Sequence, residues 1–130
     1  MVDGLITIPS THSVDETIER LEAEVTAKGL TVFARIDHAK GAHDAGLALR
    51  PTVLLIFGNA RGGTPLMQAQ QTIGIDLPLK ALAWEDDAGH VRLGYNVPDW
   101  IAARHAIAAG GPIAGAMAQM LAAVTRAAAD

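Results

Sequence analysis

The chain has 130 residues and a formal net charge of −4; half of it is hydrophobic, 4% is aromatic, 18% is charged, and cysteine is absent. That length makes one domain the natural count, and the missing cysteines exclude a disulfide framework, a thiol nucleophile and any Cys-ligated zinc or iron–sulfur centre. The acidic balance and the scattered Lys and Arg argue against nucleic acid as a partner.

A mean hydropathy of +0.24 is high. Alanine and short strands cause it, because no apolar run is longer than the five residues Val53–Phe57, and a membrane span needs about 20 residues. Met1-Val2-Asp3-Gly4 lacks the basic start and apolar stretch of a signal peptide. The expected compartment is the cytoplasm, with no membrane partner.

In chain order, Leu5–Ile8 is a β-branched run closed by Pro9-Ser10, which predicts a strand. Ser13-Val14-Asp15-Glu16 has the form of a capping box. Val14, Ile18, Leu21 and Val25 then recur on one helical face, and Gly29 follows as a C′ residue. Leu30–Asp37 alternates, with Val32, Ala34 and Ile36 on one face and Phe33, Arg35 and Asp37 on the other. His38–Leu49, interrupted by Gly41 and Gly46, reads as a loop with one helical turn.

Val53–Phe57 is continuously apolar, which predicts a central strand covered on both sides. It stops at Gly58-Asn59, and Ala60–Gly63 reads as a flexible loop. Thr64-Pro65 is an N-cap followed by Pro at the first helical position. A short helix, Leu66–Ile73, ends at Gly74. Leu79–Glu85 and His90–Tyr95 flank Asp86–Gly89, a hairpin signal, with Val91, Leu93 and Tyr95 inward and His90 and Arg92 outward. Asn96 is placed to cap a helix over Pro98–Ala106, and Gly110-Gly111-Pro112 breaks it. Ile113–Ala129 is a last helix with Ile113, Met117, Met120, Leu121 and Val124 in one stripe.

The order β-α-β-β-α-β-β-α-α predicts an α+β fold of two layers. A mixed sheet of about five strands carries its helices mainly on one face.

Several groups suggest chemistry. Gly58–Pro65 lies between a strand and a helix start, where free amides attract anions and Arg61 adds charge. It is neither a Walker A loop nor a dinucleotide fingerprint, and plain strand–turn–helix punctuation also explains it. Asp37-His38 and His43-Asp44 pair imidazole with carboxylate, a pattern suited to general-base work or metal ligation. The plainer account is a packed strand-end His38 and an exposed His43, and no H-E-x-x-H spacing sharpens the metal case. The two serines, Ser10 and Ser13, sit in no nucleophile elbow. Glu85, Asp86 and Asp87 read as turn residues. Trp84, Tyr95 and Trp100 are placed either to line a pocket or to pack, and Met67, Met117 and Met120 read as gap-fillers. No metal ligand set and no cofactor is assigned.

Arg50–Asn59, Gly63-Thr64-Pro65-Leu66-Met67, Asp76–Leu82, Trp84-Glu85-Asp86 and Gly94-Tyr95-Asn96 form an ordered string of blocks. Together with Ile36–Ala39 and the region of His105, they resemble the family called domain of unknown function 302. The resemblance implies a small bacterial two-layer α+β protein, often a homodimer, of no established activity. Ala60 stands where the family pattern has proline after Gly-Asn. The polar positions matching the family are His38, Asn59, Thr64 and Lys80.

The resulting expectation is a homodimeric small-molecule-binding or structural module. Its partners are a second copy and a small ligand, and its candidate binding residues are Asp37, His38, Asn59, Arg61, Thr64 and Lys80. The stripe on the last helix needs a cover, supplied by its own sheet or by a second subunit. The alternative is an enzyme or a metal- or cofactor-dependent binder centred on His38, oriented by Asp37 and assisted by the Gly58–Thr64 loop.

Overall fold

A computed structural model describes residues 2–108 and 111–130. The expected break at Gly110 and the initiating Met1 lie outside the described residues. Five strands, β1 (Leu5–Ser10), β2 (Thr31–Asp37), β3 (Thr52–Gly58), β4 (Leu79–Glu85) and β5 (Val91–Asn96), form one sheet in the order β1-β5-β4-β3-β2. Every neighbouring pair is antiparallel. The sheet is therefore antiparallel throughout rather than mixed. The physical reason is that the β2–β3, β3–β4 and β4–β5 connections each return the chain alongside the strand it has just left.

Helix α1 (Val14–Ala27) starts where the sequence pattern puts it: Ser13 Oγ accepts the Glu16 amide at 3.1 Å. The Glu16 carboxylate turns instead to His12, 3.1 Å from Nδ1. Val14, Ile18, Leu21 and Val25 are buried against β3, β4 and β5. Each fully buried side chain of this kind contributes about 1.5–3 kcal/mol.

Helix α2 (His38–Asp44) occupies part of the expected loop. Asp37 caps it by accepting the Lys40 amide at 2.9 Å. Helix α3 (Ala60–Ala69) starts four residues before the expected Thr64, because Asn59 Oδ1 takes the Gly62 amide at 2.8 Å and makes Asn59 the cap. A 3₁₀ turn, Gln71–Ile75, follows it. Helix α4 (Pro98–Arg104) has Val97, not Asn96, at its N-cap. The Val97 amide is held by the Gly4 carbonyl at 2.7 Å.

Helix α5 (Pro112–Ala129) lies beside α1, and Leu121, Val124 and Ala128 sit in the same core as β3. Leu121 and Val124 of the apolar stripe are thus buried in the chain's own core, while Ile113, Met117 and Met120 are half-buried, the first two packed near Leu66 and Ile101. Arg20 of α1 ties the end of α5, donating to the Ala127 and Ala128 carbonyls at 3.0 Å each.

The two faces of the sheet differ. Val53, Leu55 and Phe57 of β3 are fully buried under the helices, while Leu54 and Ile56 between them are half-buried. Leu82 and Trp84, opposite Leu54 and Thr52 on β4, are half-buried too, and Ile36 of β2 is 39% exposed. The second cover expected for β3 is absent among the described residues. In β2 the register shifts between Val32 and Ala34. This bulge puts Val32 on the helix side, Ala34 and Ile36 on the open side, and leaves Phe33 unpaired.

Candidate functional site

At the C-terminal end of β3 the chain passes through Gly58-Asn59 into α3. The first turn of α3 carries Gly62 and Gly63, side by side and without β-carbons. A β-carbon on Gly62 would lie 3.3 Å from the Met117 ε-methyl, and one on Gly63 would lie 3.7 Å from the Met67 ε-methyl. Gly74 makes room in the same way, its β-carbon position lying 3.2 Å from the Met67 sulfur. The bare backbone of these glycines and the methionine side chains line a half-open cavity of about 400 Å³. Leu77 and Pro78 form a further wall, Met120 closes the α5 side, and the unpaired Phe33 stands at the edge. The volume falls in the range of small-molecule sites.

Two expected site residues, Asn59 and Thr64, line this cavity. Asn59 spends its carbonyl oxygen on Gly62, so its NH₂ remains to donate. Arg61 is exposed and is not among the lining residues. Asp37 and His38 are exposed at the opposite end of β3, since Asp37 pairs with Val53 and Asn59 follows Gly58. At about 3.3 Å per residue the two ends stand roughly 17 Å apart. Lys80 is half-buried behind the cavity wall and donates to the Pro78 carbonyl at 2.9 Å and the Asp76 carbonyl at 3.4 Å. Burial pushes its amine below the ordinary lysine value, partly opposed by the Asp76 charge.

Asp76, just ahead of that wall, is a hub that composition and spacing did not single out. Its Oδ2 accepts from His105 Nε2 and from Arg104 Nη1, each at 2.5 Å. Thr72 Oγ1 lies 2.9 Å from His105 Nδ1. Burial raises the carboxyl's pKa, but the hydrogen bonds from His105 and Arg104 and their charges more than reverse that. The group therefore titrates below the usual carboxylate value. The hub fastens the segment between the 3₁₀ turn and β4 to the end of α4, which holds the Leu77-Pro78 wall in place.

The three larger aromatics do not converge. Trp84 covers Gly94, where a β-carbon would come within 3.1 Å of the ring; Tyr95 is buried on the helix side; Trp100 packs over Gly4. A second cavity of about 720 Å³ lies between the β1–α1 junction and the hairpin. It is the larger space, but Asp15, Glu85, His90 and Arg92 line it with mixed, solvated charge. His12 borders it, with Nε2 buried and unpartnered among the described residues. The smaller cavity, apolar and glycine-walled, is the better built for a ligand.

Architecture and cavity together define a two-layer α+β protein with one open sheet face and a methionine-lined pocket at a helix start. The domain of unknown function DUF302 matches residues 6–128, so the chain belongs to that family. The crystal structure of an uncharacterised conserved DUF302 protein from Bacillus stearothermophilus superposes with a TM-score of 0.86. It is 23% identical, with 98% of this chain and 99% of that one covered. Among curated proteins, "Fluoride-specific ion channel FluC 1" of Brucella suis biovar 1 is 53% identical over 111 residues, 85% of this chain and 44% of the relative. Its counterpart in Brucella abortus biovar 1 matches equally well, with 41% of the relative covered. The chain thus spans about two-fifths of the length of these curated relatives.

Proposed function

We propose that this chain is a cytoplasmic small-molecule-binding module that works as a homodimer. The cavity beside Asn59 carries the binding half of that reading. Its walls are backbone and methionine, its volume suits a small organic ligand, and two polar side chains at one end give a ligand something to orient on. Nile red, a neutral dye whose emission shifts to the blue in apolar surroundings, tests it. Wild type and Ile56→Lys, altered on the open sheet face, should both shift the emission. Gly63→Leu, which plugs the cavity, should lose the shift while keeping its circular dichroism. Equal emission from Gly63→Leu and wild type would end the pocket reading.

The dimer half rests on the open face of the sheet. Leu54, Ile56, Leu82 and Trp84 form a contiguous apolar surface, and such patches on a small protein mark contact sites. The accessible surface of 7334 Å² exceeds the about 6,500 Å² expected of a monomer of this mass. A second copy packed sheet to sheet across a two-fold axis would cover the face as in a β-sandwich. Light scattering should give twice the chain mass for wild type and the single mass for Ile56→Lys. A well-folded monomeric wild type would sink the idea.

A second reading comes from the curated relatives. Among the described residues no helix is long and apolar enough to cross a membrane, and the chain matches about two-fifths of those relatives. The reading is that the module acts alongside a fluoride channel. Deleting it from its host should then change the sodium fluoride concentration that halves growth. An unchanged value, with the chain shown to be expressed beforehand, would dismiss the link.

A further inference from the structure

We infer that the ligand of the Asn59 pocket is an uncharged, largely aromatic molecule that offers a hydrogen-bond acceptor to Asn59 and Thr64. The inference rests on the pocket reading above and sharpens it.

The lining itself argues for neutrality. Among the described residues around the cavity there is no Asp, Glu, His, Lys or Arg. Arg61, between the lining residues Ala60 and Gly62, is exposed and outside the lining, while Asp76 is engaged with Arg104 and His105 and Lys80 with two backbone carbonyls. A buried ligand charge would meet no opposite charge, and transferring an unpaired ion out of water is heavily penalised. An anion or a hard cation is therefore a poor occupant.

The polar end argues for an acceptor. Asn59 Oδ1 is committed to the Gly62 amide, so the side chain presents its NH₂. Thr64, five residues further along the chain in α3, adds a hydroxyl to the lining. An acceptor such as a carbonyl or amide oxygen takes the Asn59 NH₂ without competing for the cap.

The apolar body argues for a ring. Met67, Met117 and Met120 all line this one space. Thioethers are polarisable, adapt to irregular shapes and make favourable contacts with aromatic edges. Phe33, 56% exposed at the rim, adds an aromatic face. Gly62, Gly63 and Gly74 let a flat molecule lie against bare backbone.

The test uses the full chain with its methionine ε-methyl groups labelled with carbon-13. The probes are 2-naphthamide and 2-naphthoate, a neutral and an anionic molecule of nearly one shape. Naphthamide should move the Met67, Met117 and Met120 methyl resonances by ring-current shifts and saturate, with naphthoate at least tenfold weaker. Asn59→Ala should weaken naphthamide several-fold, with its fold checked by an unchanged circular dichroism spectrum. Naphthoate binding as tightly as naphthamide would overturn the claim of neutrality while leaving the pocket standing. If neither probe moves these methyls, both this inference and the pocket reading fall.

Discussion

His105 Nε2 donates to Asp76 Oδ2 at 2.5 Å, joining two residues that are 29 positions apart in the chain. Nδ1 of the same ring lies 2.9 Å from the Thr72 hydroxyl. His105 has a side chain only 8% exposed. The pair, completed by Arg104, fixes the end of α4 to the segment that leads into β4.

Replacing Asp76 by Asn leaves the His105 and Arg104 donors without their carboxylate. Loss of charge-assisted bonds at a half-buried site costs about 1–3 kcal/mol. Urea unfolding should show a lower midpoint at unchanged slope, the extrapolated unfolding free energy falling by that amount. A midpoint equal to wild type would mean that the hub contributes nothing to the fold.

The same carboxylate sets a pH dependence. Its folded pKa lies below the ordinary 3.8, so the folded state binds its proton less readily than the unfolded chain. The stabilisation is therefore present above the unfolded value and disappears as pH falls through the lower folded one. The gap in unfolding free energy between wild type and Asp76→Asn should persist down to about pH 4 and shrink below it. A gap that widens on acidification would contradict this account.

Two glycines predict opposite outcomes for one substitution. In Gly94→Ala the new methyl would stand 3.1 Å from Trp84 and 3.2 Å from the Ile6 carbonyl, inside the sheet. Overpacking of this kind costs about 1–3 kcal/mol. Gly115, on α5, has no neighbour within 4 Å of the β-carbon position, so Gly115→Ala should stabilise by about 0.5–1 kcal/mol through helix propensity. Thermal melts of the two variants should move in opposite directions.

Arg20 holds two carbonyls at the end of α5 with one guanidinium. Lysine cannot reproduce that two-pronged geometry. Arg20→Lys should destabilise by about 1 kcal/mol or more, with the loss of amide exchange protection concentrated in the last turn of α5. Uniform loss across the helices would point to a different role.

What could be read from the sequence was local. Val14, Ile18, Leu21 and Val25 announce α1 by spacing alone, and Asp86–Gly89 announces the hairpin, because each signal lies within a few residues. The cap at Asn59 was obscured by a competing local signal: Thr64-Pro65 is also a good helix start, and only the fold decides between them. The bulge at Phe33 is invisible to an alternation rule that assumes a regular strand. Asn59 and Thr64 are legible because both lie in the short segment where β3 passes into α3. Asp76 and His105 belong to different elements, so no spacing rule links them. The three methionines looked like filler because their meeting at one cavity depends on α3 packing near α5.

The Thr11 amide binds the Ala129 carbonyl at 3.0 Å, across almost the whole chain. The first strand pairs only with the fifth, and the final helix supplies Leu121, Val124 and Ala128 to the core. Long-range pairing of this kind makes closure late and slow. During synthesis, the earlier strands emerge from the ribosome with their apolar side uncovered, and a chain lacking its last two turns would leave that surface unsealed. Closing the core therefore depends on α5, and a variant cut within its last two turns should aggregate or be proteolysed rather than persist as a shortened working form.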